Sequence, residues 1–179
     1  MRNAWGTMMR RTATPGVIGE LHALGCGGAV IYAAGFAETG DHCLQQALLE
    51  AAGGMPLLGP NCYGFINATA RVALWPDEHG LSALDRGVAI VTQSGNIGCN
   101  LTMLQRGLPL AALLTLANQA DVDIAEAVEA LALDPRITAI GLHIEGVGSV
   151  RELEALADAA RNAGKPIVAI KVGKSAQAQ

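Results

Sequence analysis

The sequence predicts an α/β protein whose main sheet is parallel and buried on both faces. Short β-branched apolar runs, such as residues 88–92, alternate with segments of about 10 to 15 residues whose apolar side chains recur at helical spacing. Apolar residues make up 51% of the 179 residues and charged residues only 16%, as expected for strands covered by helices on both sides. A chain of this length buries roughly 70% of the surface that its unfolded form exposes, which allows one domain or two small ones.

The first half of the chain is predicted to mix short strands with two helices. Residues 1–14 contain Arg2, Arg10 and Arg11 but no acid, and we expect an irregular start there. Thr14 and Pro15 are typical of an N-cap and a first helical residue. Further elements are predicted as strands at residues 29–33, 57–58 and 71–75 and a helix at residues 41–52. The polar, turn-rich residues 76–85 indicate a domain boundary.

The second half alternates more regularly. Strands are predicted at residues 88–92, 110–117, 137–144 and 166–172. Helices are predicted after the Ser94 turn, with Gly107 as the C′ glycine that follows the helix, at residues 123–133, and from a capping-box pattern at residues 149–152 to residue 162. Asp123 and Glu126 form a capping-box pattern at the start of the second of these helices. Strands separated by such helices are joined by right-handed crossovers and lie parallel. We therefore interpret this half as flavodoxin-like.

The turn Ser94-Gly95-Asn96 is the first candidate site, because it joins a predicted strand to the helix that follows. The first amides of such a helix have no partner within it, and together they carry roughly half a positive charge. Ser94 and Gly95 are small enough to let a phosphate or carboxylate approach these amides. The alternative is an ordinary turn in which Ser94 only caps the helix.

Composition argues against several classes of partner. A net charge of −4 and an aromatic content of 3% do not favour binding to nucleic acid. No apolar run reaches the roughly 20 residues of a membrane span. The cysteines lie far apart without a CxxC pattern, so we expect reduced thiols, a cytoplasmic protein and no metal site. They are Cys26, Cys43, Cys62 and Cys99.

Six short stretches, in their order and spacing, resemble the NDP-forming acyl-CoA ligases. They are residues 33–38 (AAGFAE), 58–64 (LGPNCYG), 90–96 (IVTQSGN), 118–123 (NQADVD), 142–146 (LHIEG) and 171–175 (KVGKS). This family includes the succinyl-CoA ligase α subunit, ADP-forming acetate–CoA ligases and feruloyl-CoA synthetase-type enzymes. The resemblance implies part of a CoA-binding Rossmann-like domain over residues 15–80 and a flavodoxin-like domain over residues 81–179.

The resemblance also implies an activity. The family converts an acid, CoA and ATP into acyl-CoA, ADP and phosphate through an acyl phosphate and a phosphohistidine. The implied cofactors are coenzyme A and, through an ATP-grasp part, ATP or ADP with magnesium. The implied partner is an ATP-grasp domain or subunit of the same enzyme. A partial Rossmann-like half would expose an apolar sheet edge, so we also expect a homodimer.

Several residues take roles from this resemblance. Glu145 matches the glutamate that orients the phosphohistidine, and residues 94–96 match a helix terminus that stabilises the phosphoryl group. Cys99 and Asn118 are assigned to the substrate pocket. The alternative for Glu145 is an exposed carboxylate without a role.

CoA contacts are also implied by the resemblance. They fall on Tyr32, Ala33, Ala34, Gly35, Asn61 and Cys62. The alternative for Cys62 is a small buried side chain. We assign it no nucleophilic role, because no sequence neighbour would lower its pKa.

Two departures from the family pattern limit what the chain is expected to do. Residues 1–14 show neither the first strand nor the glycine-rich loop that holds the CoA phosphates, and the sequence stops at Gln179, before the family's phosphohistidine segment. His143 is interpreted as a packed strand residue. We expect a chain truncated at both ends, with weak or absent CoA binding and no turnover alone. The alternative function is a non-catalytic CoA-binding, anion-binding or dimerising module.

Overall fold

The fold consists of two sheets with flanking helices, and the computed structural model describes residues 4–7 and 10–173. The smaller sheet has three parallel strands in the order β1-β2-β3. Its elements are β1 (Ala4–Thr7), α1 (Thr14–Ala23), β2 (Gly28–Ile31), α2 (His42–Ala52) and β3 (Leu57–Leu58). Helices α1 and α2 pack over it around Ile18, Leu48 and Phe36, none of which is exposed.

The larger sheet has six strands in the order β5-β4-β7-β6-β8-β9. Its elements are β4 (Phe65–Asn67), β5 (Val72–Leu74), β6 (Gly87–Thr92), α3 (Gly95–Thr102), β7 (Leu110–Thr115), α4 (Ile124–Leu133), β8 (Ile137–Ile144), α5 (Val150–Asn162) and β9 (Ile167–Lys171). Strands β7, β6, β8 and β9 are parallel, whereas β4 lies antiparallel to β7 and to β5. The predicted parallel α/β class is confirmed.

Helices cover the parallel part of this sheet on both faces. Ala89 and Val91 of β6 point to the face under α4 and α5, where Val128 is fully buried. Helix α3 lies on the opposite face, where a methyl group added at Gly98 would come 2.7 Å from Cγ2 of Thr115. A side chain at Gly98 would therefore push α3 away from the sheet.

The predicted capping box of α4 is confirmed. The Asp123 carboxylate accepts the Glu126 N–H at 2.8 Å, and the Glu126 carboxylate accepts the Asp123 N–H at 3.1 Å. Two amides that the helix leaves unpaired are thereby satisfied, which stabilises its start by about 1 kcal/mol.

The start of the chain differs from the expectation of an irregular segment. Strand β1 pairs in parallel with β2, with Ala4 opposite Gly28 and Thr7 opposite Ile31. Strand β2 is almost fully buried, so its edge needs a hydrogen-bonding neighbour. Thr14, expected to cap α1, is instead its first residue, and its hydroxyl donates to the Arg10 carbonyl at 3.3 Å.

Helix α3 is shorter than predicted. It ends at Thr102, whose hydroxyl donates to the Cys99 carbonyl at 2.7 Å, rather than near Gly107. Hydroxyl-to-carbonyl bonds of this kind compete with the backbone pattern, and Met103 closes a tight turn onto the Asn100 carbonyl. No helix among the described residues is long and apolar enough to cross a lipid bilayer.

The two sheets are joined by main-chain hydrogen bonds. Residues 118–122 run beside residues 57–60, with the Ala120 N–H bonded to the Gly59 carbonyl at 3.0 Å and the Val122 N–H to the Leu57 carbonyl at 3.2 Å. Strands β4 and β5 precede the boundary predicted near residue 80, yet they pair within the larger sheet. The placement of that boundary stays a prediction.

We predict that Gly64→Ala destabilises the protein. Gly64 has a φ of 90°, and an added Cβ would collide with the carbonyl oxygen of Leu74. A left-handed alanine pressed against backbone should lower the free energy of unfolding by about 2 kcal/mol or more. Urea denaturation measures this change. Gly16→Ala is the control, because nothing lies within 4 Å of its added Cβ; equal stability of the two variants would contradict the prediction.

Candidate functional site

The carboxyl ends of β6 and β8 bring the Ser94 turn and Glu145 to one edge of the larger sheet. The two strands pair in parallel with Thr92 opposite His143, so the residues that follow each strand are neighbours. Ser94 is the N-cap of α3, and its hydroxyl accepts the Ile97 N–H at 3.5 Å. Glu145 is exposed at the start of the loop before α5. The edge therefore combines a helix terminus with an exposed carboxylate.

The side chain of Gln93 ties these two loops together. Its Oε1 accepts the N–H groups of Glu145 at 2.6 Å and Gly146 at 2.8 Å, and its Nε2 donates to the Gly146 carbonyl at 2.7 Å. Gln93 is only 7% exposed. One buried carboxamide thus fixes where the main chain of Glu145 lies relative to the Ser94 turn.

A second set of hydrogen bonds lies behind the turn. The Thr92 hydroxyl accepts the Ser94 N–H at 3.0 Å and lies 3.2 Å from Nδ1 of His143. Thr92 is fully buried and His143 partly so. His143 therefore supports the turn through Thr92, in agreement with a packed strand residue. The ammonium of Lys171, the last residue of the neighbouring strand β9, donates to the Glu145 carbonyl at 2.9 Å.

The segments assigned to CoA lie side by side. The Asn61 N–H donates to the Ala33 carbonyl at 2.9 Å, and the Cys62 N–H to the Ile31 carbonyl at 3.4 Å. Tyr32 follows β2 directly, so residues 32–35 and 61–62 form a continuous surface at the carboxyl end of the smaller sheet. This surface could contact an extended ligand along one side.

The side chain of Asn118 contacts that surface. Its amide Nδ2 donates to the carboxylate of Glu38, which also accepts the N–H groups of Gly35 at 2.5 Å and Phe36 at 3.0 Å. Burial acts to raise the pKa of Glu38, but these hydrogen bonds outweigh it and lower the pKa below its ordinary value. The Glu38 carboxylate thereby orders the loop after β2.

The guanidinium of Arg11 contacts this loop. Its guanidinium donates to the Gly35 carbonyl at 2.5 Å and lies 3.5 Å from the carboxylate of Asp41. Both groups border an open cavity of about 740 Å³ that Ala34 also lines. An open cavity with one guanidinium fits a phosphate-bearing ligand such as CoA, although Asp41 offsets part of the charge.

A smaller cavity of about 280 Å³ lies beside Tyr63, where the surface assigned to CoA meets the start of α3. It is lined by Tyr32, Asn61, Cys62, Tyr63, Pro76 and Asp77. The Tyr63 ring packs on the first residue of α3, since a methyl group at Gly95 would lie 2.6 Å from its Cδ2. The centroid of the Tyr63 ring lies 5.6 Å from that of the Trp75 ring, and the two ring planes are inclined by 50°.

Two thiols and one phenol around this cavity, those of Cys62, Cys99 and Tyr63, have pKa values raised above their ordinary values, which favours their neutral forms. Burial raises the pKa of the Cys62 thiol to about 11, and hydrogen bonds from neighbouring groups offset this only in part. The pKa of Cys99 is raised by burial and then by the Asp77 carboxylate. The pKa of Tyr63 is raised first by Cys99, to which it is hydrogen bonded, and further by burial and by Asp77. The site therefore contains no activated thiolate.

Three residues of this region were not singled out from the sequence. They are Gln93, Tyr63 and Asp77. Gln93 and Tyr63 stand inside two of the motifs, and a glutamine between an apolar strand and a turn was the one available signal in the sequence. Asp77 lies in the polar stretch predicted as a boundary, so nothing local distinguished it. Lys174 and Ser175 of the last motif lie outside the described residues.

Comparison with known proteins agrees with this arrangement. Residues 85–179 match the succinyl-CoA ligase-like flavodoxin domain family. Over 169 residues the chain is 35% identical to a trans-feruloyl-CoA synthase of an unknown prokaryotic organism, covering 89% of the chain and 24% of that protein. Over 158 residues it is 33% identical to subunit alpha of acetate–CoA ligase [ADP-forming] II of Pyrococcus furiosus, covering 84% of the chain and 34% of that subunit.

A solved structure matches as well. The dinucleotide-forming acetyl-coenzyme A synthetase 1 of Candidatus Korarchaeum cryptofilum, in complex with phosphate and ADP, superposes with a TM-score of 0.82 and 27% identity. The match covers 94% of this chain and 37% of that one. The chain thus spans about a quarter to a third of the length of the curated relatives named above.

We predict that Gln93→Leu loosens the loop that carries Glu145. The substitution leaves two N–H groups and a carbonyl without partners, which should lower the free energy of unfolding by about 2–4 kcal/mol. Amide hydrogen exchange should accelerate at Glu145 and Gly146. Gln46→Leu is the matched control, because Gln46 is exposed on α2. Unchanged exchange at both amides would contradict the role given to Gln93.

We predict that Cys62 is the least reactive thiol. With a pKa of about 11 it is almost fully protonated at pH 8, so alkylation by iodoacetamide should be roughly a hundredfold slower than at an ordinary exposed thiol. Cys43, exposed on α2, provides the internal reference. Peptide mass spectrometry over time measures both rates, and comparable labelling of the two cysteines would show that Cys62 is activated.

Proposed function

The chain belongs to the succinyl-CoA ligase-like flavodoxin domain family, and from this premise we propose that it forms part of an ADP-forming acyl-CoA synthetase. Such an enzyme joins an acid to CoA while ATP is converted to ADP and phosphate. The observation that carries the proposal is the connection of the Ser94 turn to the Glu145 loop through Gln93. Relatives named as ADP-forming acetate–CoA ligase and feruloyl-CoA synthase support it.

The Ser94 turn stabilises a phosphoryl group in this proposal. The unpaired amides at the start of α3, with the Ser94 hydroxyl and the exposed Asn96, offer hydrogen-bond donors to phosphate oxygens. A helix terminus attracts an anion without forming a permanent ion pair, so the phosphoryl group can move on. Glu145 accepts the N–H of an imidazole presented at the same edge and so selects which nitrogen reacts.

The surface formed by residues 32–35 and 61–62 is the proposed CoA contact. Coenzyme A supplies the thiol that becomes acylated. The hydrogen bond between Asn61 and Ala33 keeps this surface continuous, and the cavity beside Arg11 leaves room for phosphates. Cys99 and Asn118 remain proposed substrate-pocket residues. ATP or ADP with magnesium belongs to an ATP-grasp part of the enzyme.

The proposed partners follow from the same reasoning. The match to a protein named subunit alpha supports a second subunit or domain that carries the ATP-grasp part. A homodimer is supported by the edge strand β9, where Val168 and Ile170 are 69% and 60% exposed. All four cysteines are unpaired, which supports a reducing compartment such as the cytoplasm. We propose no nucleic-acid or membrane partner.

We predict that inorganic phosphate binds at the start of α3. Amide resonances of residues 95–97 should move first in an NMR titration, with a weak affinity because a helix terminus contributes roughly 0.3–2 kcal/mol. Chloride at equal ionic strength is the control for screening. Phosphate-dependent shifts elsewhere, with these three amides unmoved, would refute the proposed phosphoryl site.

A further inference from the structure

We propose that a further cavity, of about 270 Å³, binds a small aliphatic monocarboxylate at a place separate from the proposed reaction site. This hairpin cavity lies between the β4–β5 hairpin and residues 79–83. The described residues that line it, all within 66–73 and 79–83, include none of those assigned to CoA, to the phosphoryl group or to the substrate pocket. The inference therefore goes beyond the proposed function and does not depend on it.

Main-chain hydrogen bonds hold residues 79–83 against neighbouring elements on both sides. The Gly80 N–H donates to the Thr102 carbonyl at 3.1 Å, and the Leu84 N–H donates to the Ala68 carbonyl at 3.3 Å. Thr102 is the last of the eight residues of α3, whereas the Ser94 turn precedes the first. A helix of this length spans about 12 Å. The wall of the hairpin cavity is thus attached to the end of α3 that lies opposite to the proposed phosphoryl site.

The charge of the hairpin cavity favours an anion. Among the described residues that line it, Arg71 is the charged side chain, and no Asp or Glu accompanies it. The Arg71 side chain is exposed and forms no ion pair with another residue in the described ranges. A guanidinium presents parallel N–H donors that match the two oxygens of a carboxylate. The cavity therefore offers one unopposed cationic group to a ligand.

His79 supplies a buried polar atom that lacks a partner. Its Nδ1 is shielded from solvent and forms no hydrogen bond within the part of the chain that the structure describes. The same residue lines the hairpin cavity. Buried polar atoms of side chains usually have a hydrogen-bond partner, so an unpaired one beside a cavity indicates a polar ligand. A carboxylate oxygen can accept the N–H of an imidazole.

Two further side chains add hydrogen-bond donors. The Asn67 Oδ1 accepts the Thr69 hydroxyl at 2.8 Å and the Ala70 N–H at 2.9 Å, which leaves its Nδ2 as a donor. The Ser82 hydroxyl also lines the hairpin cavity and can donate. Together with the guanidinium and the imidazole, these groups form a set of donors without a competing carboxylate. Such a set selects an anion over a cation or a neutral molecule.

The remaining wall is apolar and selects an aliphatic body. Ile66 and Ala68 are 2% and 6% exposed, whereas Val72 at the rim is 50% exposed. A volume of 270 Å³ equals that of about nine water molecules at roughly 30 Å³ each, which suits an acid of about five carbons. Acetate or inorganic phosphate would leave the apolar wall uncovered. A second carboxylate would lie against apolar side chains, at a cost in binding.

NMR titration of the 179-residue chain with pentanoate tests this proposal. We expect the amides of residues 71–73 and 79–83 to shift, with a dissociation constant on the order of 1 mM. Pentan-1-ol and pentylamine carry the same tail on a neutral or cationic head, and both should bind at least tenfold more weakly. Sodium chloride at equal ionic strength is the control for screening.

Substitutions of the two nitrogen-bearing groups locate the effect. Arg71→Asn should weaken pentanoate binding about tenfold, as expected for the loss of one charged hydrogen bond. Asparagine suits this position because Arg71 has a φ of 57°, a conformation that asparagine tolerates. Arg86→Asn removes the same charge from an exposed residue outside the cavity and should leave binding unchanged. His79→Leu should weaken binding about three- to tenfold.

A pair of variants at Val72 decides the matter if Arg71→Asn does not fold. Val72→Asp and Val72→Asn remove the same apolar contact at an exposed position and differ only in charge. Val72→Asp should weaken pentanoate binding at least tenfold more than Val72→Asn, because the new carboxylate repels that of the ligand.

Three results would overturn the proposal. Pentan-1-ol binding as tightly as pentanoate would remove the charge argument. Equal losses in Arg71→Asn and Arg86→Asn would show that only the net charge of the chain matters. Pentanoate shifting residues 94–96 alone would place the anion at the Ser94 turn. Phosphate titration of residues 95–97 is scored separately, so the proposed phosphoryl site can stand while the hairpin cavity fails.

Discussion

The buried carboxamide of Gln93 is the interaction on which the candidate site depends. The Ser94 turn and the Glu145 loop belong to separate strand–helix units, and parallel pairing of β6 with β8 aligns only the strands themselves. Beyond the last paired residues, the main chain of each loop is free to vary unless a side chain holds it. Gln93 does so with an acceptor and a donor at once, and its 7% exposure keeps water from competing for these bonds.

A second connection places the smaller sheet against this edge. The Thr115 hydroxyl accepts the Tyr63 N–H at 2.9 Å and donates to the Gly64 carbonyl at 2.9 Å, so the end of β7 holds the segment that follows β3. The same segment carries Asn61 and Cys62 on one side and the Tyr63 ring on the other. The proposed CoA surface and the start of α3 are thereby held at a fixed separation. The absence of a side chain at Gly95 permits this approach, because any Cβ there would collide with the Tyr63 ring.

Local signals in the sequence predicted much of the fold, but they did not predict the short strands that form only by pairing with strands distant in sequence. The capping box of α4 and the limits of β8 follow from residues within the element, and both match the structure. Strands β1 and β4 have four and three residues and are stabilised by neighbours distant in sequence, so no local periodicity marks them. Gln93 and Asp77 were not predicted as site residues for the same reason, because the groups they act on belong to other segments of the chain. Ser94 was predicted because its turn follows a recognisable strand, and Glu145 because residues 142–146 resemble a motif of the family.

The proposed phosphoryl site uses a helix terminus instead of a lysine or arginine. An anion bound by fixed amide dipoles keeps most of its mobility, because no flexible cation must be pulled away when the group is transferred. The described residues that line the cavity beside Tyr63 include the Asp77 carboxylate and no Lys, Arg or His, so at this site the attraction for an anion lies at the start of α3. The neutral thiols of Cys62 and Cys99 add no charge that would oppose this arrangement.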